Sequence, residues 1–275
     1  MPLLKRLATL LALAALAGLV ACSSVSLAYK QFPLLAGLWV DHYLDLDSGQ
    51  RGRLKVQLLA LQAWHRREEL PQWLALLRQA RQALDDGVAT QDELLALERG
   101  ARASVERCLQ HAAPLAGPLL AELRPEQWQH LQKKLDEKTA EWREKQSGRD
   151  GPDERAKRYT NNLERWLGDL DRATRKQARA DAQAWHFDFP AMAQARALRQ
   201  KRLVDALQAW SRQDLAGGTA LLMQDLQPQP AEQAYREEII ASLLKLLNGM
   251  TPAQLARVRQ HWADWSEELR ALQAG

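Results

Sequence analysis

The side chains with the clearest chemical potential are concentrated in a short segment, residues 63–71. Here Trp64 and His65 are followed by Arg66 and Arg67, and then by two glutamates. Two guanidinium groups beside an indole could bind an anionic group, because guanidinium offers paired N–H donors to carboxylate or phosphate. The alternative, which we favour, is a structural role. In that case Trp64 packs in the core, the basic residues lie at the C-terminus of one helix, and the glutamates lie at the N-terminus of the next.

A second possible anion-binding surface lies between residues 171 and 212, where nine basic residues stand against four aspartates. This excess could meet anionic lipid or lipopolysaccharide, since each basic residue near such a surface contributes about 1 kcal/mol. A solvated helix face is the alternative interpretation, and the favoured one. Anion binding would require four arginines to cluster on one surface: Arg175, Arg179, Arg199 and Arg202.

Enzymatic and metal chemistry has little support in the sequence. The six histidines show none of the spacings that place two metal ligands on one helix face, and no nucleophile elbow or phosphate-binding glycine loop occurs. Acidic pairs at Glu68-Glu69 and Glu237-Glu238 could serve a hydrolase, although such pairs on helices are usually solvated. Cys108 lies on an apolar helical stripe and is predicted to be a small core residue. We expect a non-enzymatic protein with no catalytic residue, cofactor or metal.

The N-terminus has the pattern of a secretory leader. Lys5 and Arg6 precede an apolar run over residues 7–20, which is shorter than the roughly 20 apolar residues of a transmembrane helix. The run ends in Leu19-Val20-Ala21-Cys22, which resembles the lipobox of bacterial lipoproteins. This resemblance implies that residues 1–21 are removed and that Cys22 carries the lipid.

The same resemblance implies a location and limits the partners. Ser23, as the second mature residue, implies export to the outer membrane, with the protein facing the periplasm. The acyl chains would then be the membrane contact, each buried methylene contributing about 0.8 kcal/mol. Removal of residues 1–21 takes two of the 38 basic residues and none of the 34 acidic ones, which leaves a net charge of +2. That balance argues against nucleic acid as a partner.

Composition and periodicity predict an all-α fold. Leu, Ala, Gln, Arg and Glu dominate the mature chain, and apolar residues recur at three- and four-residue spacings. We expect a multi-helix bundle made of a signal peptide at 1–21, a lipidated tether at 22–33, and two helical halves at 34–150 and 151–275. The predicted helices cover about 34–45, 48–68, 70–85, 91–111, 125–146, 154–168, 172–186, 191–214, 231–248 and 252–272.

An internal repeat is indicated by four short segments that share an apolar residue, a helix-starting pair, and Gln or Thr at the fifth place. The first and third begin 124 residues apart, and the second and fourth 127. Two similar halves would explain this spacing, and chance recurrence in a helical sequence of this composition is the alternative. The helix-start segments are residues 46–50, 123–127, 170–174 and 250–254.

Two family resemblances follow from these residues. The segments at 123–127 and 250–254 look like the repeated motif of the Spy/CpxP family of periplasmic chaperones and stress sensors, although capping boxes would produce the same pattern. A wider part of the chain is similar to an uncharacterised family of proteobacterial lipoproteins, which implies an architecture but no activity or site. Residues 171–174 depart from that family's usual threonine-proline-glutamate-glutamine helix start. The wider similarity rests on residues 26–29, 43–47, 63–71 and 166–170.

Three functions are compatible with the sequence. The leading hypothesis is a membrane-anchored, non-enzymatic lipoprotein that binds protein partners or unfolded clients in envelope maintenance, which predicts an apolar groove between the halves. A carboxylate-dependent hydrolase of cell-wall glycan or lipid predicts two convergent buried carboxylates. An anionic lipid or lipopolysaccharide-binding module predicts clustered arginines. Residues 34–40 are expected to pack either on the domain or against the bilayer.

Overall fold

A computed structural model describes residues 26–85 and 87–274. These residues form eleven α-helices and no strand, after a helical turn at 26–30, which confirms the predicted all-α fold. The predicted signal peptide, Cys22 and the first part of the tether lie outside the described residues. The helices are α1 (Phe32–Leu44), α2 (Ser48–Trp64), α3 (Leu70–Gln82), α4 (Gln91–Ala121), α5 (Pro125–Ser147), α6 (Gly151–Leu167), α7 (Arg172–Ala184), α8 (Phe189–Ser211), α9 (Leu215–Asp225), α10 (Pro230–Asn248) and α11 (Pro252–Ala274).

The predicted break between the second and third helices is wrong. Helices α2 and α3 are continuous through a single π-helical turn, His65–Glu69. The backbone N–H of Leu70 donates to the carbonyl of His65, five residues earlier. Pro71 has no N–H to donate, so a wider turn before it absorbs the lost hydrogen bond without ending the helix. The basic residues of segment 63–71 therefore lie in mid-helix.

Two other helices differ from the prediction, because tertiary packing outweighs the effect of residues that usually break helices. Helix α4 passes through Pro114 and Pro118 to Ala121, beyond the predicted end at 111. Helix α9, which the sequence did not predict, contains Gly217 and Gly218. A Cβ on Gly218 would lie 2.4 Å from Cδ1 of Trp210, so the glycine allows α9 to pack closely on α8.

The described residues form two hydrophobic cores, and each core draws on helices from both sides of residue 150. The first core joins α1, α2, α4 and α5 to Trp210 of α8. The second core joins α6, α7, α10 and α11 to Leu77 of α3. Helix α3 accordingly packs on α11, and α4 packs on α8. The predicted halves at 34–150 and 151–275 thus contribute residues to each other's cores.

The helix-start segments meet in pairs. In the first pair, the Nε2 of Gln127 donates to the side-chain oxygen of Gln50 at 2.8 Å and to the carbonyl of Asp45 at 2.9 Å. In the second pair, the Nε2 of Gln254 donates to the carboxylate of Asp171 at 2.5 Å. The first segment therefore pairs with the second, and the third with the fourth.

Candidate functional site

A cavity of about 690 Å³ lies between helices α3, α4, α5, α6 and α10. The connection between α7 and α8 and the side chain of Trp262 complete its wall. This space, the main cavity, falls in the range of roughly 300–1,000 Å³ that is usual for small-molecule sites. Both predicted halves contribute to it. Part of its aliphatic wall comes from α3, α4 and α10: Leu76, Leu94, Leu97, Ile239, Ile240 and Leu243.

Aromatic rings form one continuous wall of the main cavity. Tyr159 and Trp185 meet edge to face with centroids 4.6 Å apart, and Trp185 meets Tyr235 at 5.6 Å. Phe187 continues the row, 5.4 Å from Tyr235. The indole Nε1 of Trp185 donates to Ser242 Oγ at 2.9 Å, which fixes the ring that contacts two neighbours. Edge-to-face packing of this kind makes a rigid apolar surface.

A few polar groups interrupt this apolar wall. The guanidinium of Arg155 lies 4.1 Å from the ring centroid of Phe187. Burial lowers the pKa of Arg155 and raises the pKa of the Tyr159 phenol. The phenol oxygen of Tyr159 and the Nε2 of Gln146 are buried without a hydrogen-bond partner among the described residues. Convergent polar groups of this kind usually orient a ligand in an apolar pocket.

The single carboxylate among the residues lining the main cavity is already engaged. Glu98 accepts a hydrogen bond from Nε of Arg236 at 3.0 Å and one from Arg102 at 3.1 Å. The hydrogen bond from Arg236 is the largest cause that lowers the pKa of Glu98. A carboxylate held ionised between two arginines is poorly suited to act as a general acid.

Segment 63–71 lies away from the main cavity, and its side chains contact one another and neighbouring helices. The Trp64 ring is half-buried and stacks on His111 with centroids 4.2 Å apart, so the expectation that it packs in the core is wrong. His65 Nδ1 lies 3.1 Å from the hydroxyl of Tyr29. The indole finds a histidine partner on α4 that sequence spacing does not reveal.

The two arginines of the segment have different surroundings. The guanidinium of Arg66 lies 5.9 Å from the ring centroid of Tyr29. Arg67 forms an ion pair with its neighbour Glu68, with Nε and Oε1 2.7 Å apart. Neither arginine ends a helix as expected, because the π-helical turn carries the backbone on into α3. Arg66 thus contacts an aromatic ring, whereas Arg67 forms an ion pair on the surface.

Glu69 is the residue that sequence reasoning missed. The acidic pair with Glu68 was expected to be solvated, but the Glu69 carboxylate is fully buried. Ser104 Oγ donates to it at 2.6 Å, and Arg107 donates from Nε at 2.6 Å and from Nη2 at 2.9 Å. The partners lie three residues apart on one face of α4 but more than thirty residues from Glu69, so no local spacing signals them.

The four arginines proposed for anion binding are each paired with a carboxylate. Their partners lie on neighbouring helices or at helix ends, so the guanidinium groups tie elements together. The pairs are Arg175 with Glu164, Arg179 with Asp153, Arg199 with Glu232, and Arg202 with Asp225. This pairing neutralises much of the positive excess that the sequence shows between residues 171 and 212.

Other potential sites are weaker. Cys108 is half-buried, and burial raises the pKa of its thiol, which lowers its nucleophilic reactivity. In residues 26–85 and 87–274, no group of three or more potential metal ligands comes together. Within the same residues, no helix is long and apolar enough to cross a bilayer. A second cavity, of about 360 Å³, lies between α1, α2, α4, α5 and α8.

Comparison with known proteins assigns a family. No curated protein and no solved structure matches the chain significantly. A family model does match, and the matched residues include all of α2 to α9 and most of the main-cavity wall. The chain belongs to DUF6279, a family of unknown function, whose model matches residues 42–236.

Proposed function

We propose that this protein is a non-enzymatic lipoprotein of the bacterial envelope that takes an apolar ligand into its main cavity. The observation that carries the proposal is the apolar, aromatic-walled space of about 690 Å³ between helices of both halves. Burial of apolar ligand surface there would contribute roughly 25 cal/mol for each Å² removed from water. The sequence suggested a protein partner or an unfolded client. In this proposal the ligand is a molecule, or the part of a larger molecule, that fits the main cavity.

The other two hypotheses have less support. A hydrolase would need convergent carboxylates, whereas Glu98 is bound by Arg236 and Arg102. Glu69 is bound by Ser104 and Arg107 at a different place on α4. A surface that binds anionic lipid would need free arginines, and the four candidates form ion pairs.

Two alanines on α4 allow a matched test of the cavity. Ala101 lines the main cavity and Ala112 lines the second, and both are half-buried. We expect Ala101→Phe to fill the main cavity and weaken binding of N-phenyl-1-naphthylamine by at least about tenfold, or 1.4 kcal/mol. Ala112→Phe should leave binding nearly unchanged. The measurement is a fluorescence titration of residues 22–275 carrying Cys22→Ser, which lack both the apolar leader and the lipid and so permit work without detergent.

Two outcomes would overturn this assignment. The first is that the parent chain shows no saturable increase in probe fluorescence. The second is that Ala101→Phe binds the probe as well as the parent while its thermal midpoint is unchanged. A loss confined to Ala112→Phe would place the ligand in the second cavity and would equally contradict the proposal.

Anchoring through Cys22 is the second part of the proposal, at the periplasmic face of the outer membrane. Ser26 follows Cys22 by four residue steps, which at about 3.5 Å each span at most about 14 Å. Helix α1 follows and exposes a row of large apolar side chains: Leu34 (59%), Leu35 (52%), Leu38 (60%) and Trp39 (64%). An apolar face so close to the lipid attachment favours contact of α1 with the bilayer.

The anchor is tested by the intact mass of protein extracted from cell envelopes. We expect a chain that lacks residues 1–21 and carries acyl groups on Cys22, and a Cys22→Ser control that carries none. A native protein with an unmodified Cys22, or with its leader retained, would refute this part of the proposal.

A further inference from the structure

Helix α6 runs along the main cavity and gives it two chemically different ends. Arg155, Tyr159, Asn162, Leu163 and Trp166 all line the space. With a rise of 1.5 Å per residue, the eleven steps from Arg155 to Trp166 cover about 16 Å. The N-terminal part of the helix contributes basic and hydrogen-bonding groups, and the C-terminal part contributes leucine and tryptophan. The cavity wall is therefore amphipathic along its length.

The polar end carries two arginines that are not paired with a carboxylate within the residues that the structure describes. Arg155 and Arg158 both line the cavity, and neither forms an ion pair with any carboxylate among the described residues. Burial lowers the pKa of Arg155, and repulsion from the nearby guanidinium of Arg158 lowers it further. An anion placed between them would relieve that repulsion.

Buried donors at the same end also lack partners. Gln146 is 5% exposed and its Nε2 has no hydrogen-bond partner in the described part of the chain, and the same holds for the phenol oxygen of Tyr159. An ideal Cβ on Gly151 would lie 2.5 Å from the backbone carbonyl oxygen of Gln146 and 3.2 Å from Nη1 of Arg155, so the backbone of Gln146 and the guanidinium of Arg155 both lie at the start of α6. Burial of a polar group without a hydrogen bond is unfavourable, so a ligand that accepts hydrogen bonds from these groups is favoured.

The opposite end is apolar. Leu163 and Leu167 of α6 line the cavity and belong to the second core, together with Leu247 and Trp262. The indole of Trp262 donates to the backbone carbonyl of Trp166, so its polar atom is satisfied and its ring surface faces apolar neighbours. A hydrocarbon chain that enters from the polar end would meet only apolar side chains here.

We infer that the ligand of the main cavity is an anionic amphiphile, with its carboxylate or phosphate beside Arg155 and Arg158 and its hydrocarbon tail directed along α6 toward Trp166. This inference rests on the proposed function and specifies the class of ligand. The start of α6 reinforces it, because the amide groups and dipole at a helix N-terminus favour negative charge. The tail would extend for about 16 Å, the length of the lined helix.

The test compares three probes that share one tail and differ in head-group charge: dodecanoate, dodecanol and dodecyltrimethylammonium. Each displaces N-phenyl-1-naphthylamine from residues 22–275 carrying Cys22→Ser. We expect dodecanoate to bind at least about tenfold more tightly than dodecanol, and the cation to bind most weakly. In Arg155→Gln/Arg158→Gln, dodecanoate should lose about tenfold in affinity while dodecanol is unchanged. Arg165→Gln, on α6 but outside the cavity wall, should behave as the parent.

The outcomes separate this inference from the proposed function. Equal binding of dodecanoate and dodecanol, both blocked by Ala101→Phe, would overturn the inference and keep the cavity as a binding site. Failure of all three probes would overturn both. An equal loss in Arg165→Gln would show a general charge effect and would also refute the inference. Unchanged binding of dodecanol to the double variant would show that the variant is folded. The affinities of lysophosphatidylglycerol and dodecanoate for the parent then distinguish a phosphate head group from a carboxylate.

Discussion

Replacement of Glu69 by alanine is expected to lower the free energy of unfolding by about 3 kcal/mol. Its carboxylate is 1% exposed and accepts hydrogen bonds from Ser104 and Arg107. Removal of one partner of a buried ion pair typically costs about 3–5 kcal/mol, because the other is left buried and unpaired. Arg107 is 40% exposed and can regain water, which places the expected loss at the lower end.

Chemical denaturation of Glu69→Ala beside Glu68→Ala measures this loss. Glu68 is the adjacent acid, but it is exposed and pairs with Arg67 on the surface, so its removal should change stability by less than about 0.5 kcal/mol. Equal stability of the two variants would show that the buried network contributes nothing measurable.

The buried carboxylate of Glu69 should also make the stability of the protein depend on pH. Burial raises the pKa of Glu69, but the hydrogen bonds from Arg107 and Ser104 to the carboxylate, with the charge of Arg107, outweigh it, and the pKa lies below the ordinary value of 4.5. The stabilising contribution is therefore complete above about pH 4.5 and is lost as the pH falls through the lowered folded-state pKa. In Glu69→Gln, the decline of stability with acid should be shallower than in the parent. An identical acid dependence in both would contradict the assignment.

Gln127→Ala is expected to cost about 3 kcal/mol of stability. Its amide is 2% exposed and donates to the carbonyls of Leu44 and Asp45 and to the side chain of Gln50. Without it, these buried acceptors lose a partner, at about 1–3 kcal/mol for each group left unsatisfied. This contact joins the start of α2 to the start of α5, two helices that contribute to the first core.

Gln254→Ala is the matched comparison, since Gln254 holds the equivalent place in the second pair of helix-start segments. It is half-exposed, caps α11 with Thr251 and contacts Asp171, all within reach of water. Its loss should cost only about 1 kcal/mol, the usual effect of a lost cap. Thermal and denaturant unfolding of the two variants distinguishes them, and an equal or inverted order would show that burial of the first pair does not govern stability.

Local interactions explain what sequence reasoning found. Asp47 with Gln50, and Thr251 with Gln254, form their capping hydrogen bonds between residues three apart, so the helix starts are visible in the sequence. The helical periodicity, the four helix-start segments and the leader pattern are likewise short-range properties. The all-α class and most helix starts followed from them.

Tertiary structure alone decided the candidate site. The main cavity is a space left unfilled between helices, and each leucine or tryptophan in its wall has the same sequence pattern as an ordinary core residue. The burial of Glu69 depends on Arg107, 38 residues away, and the pairing of Gln50 with Gln127 spans 77 residues. Sequence determined where helices begin because capping acts within a turn. Which faces meet, and where space remains between them, depends on packing among residues far apart in the chain.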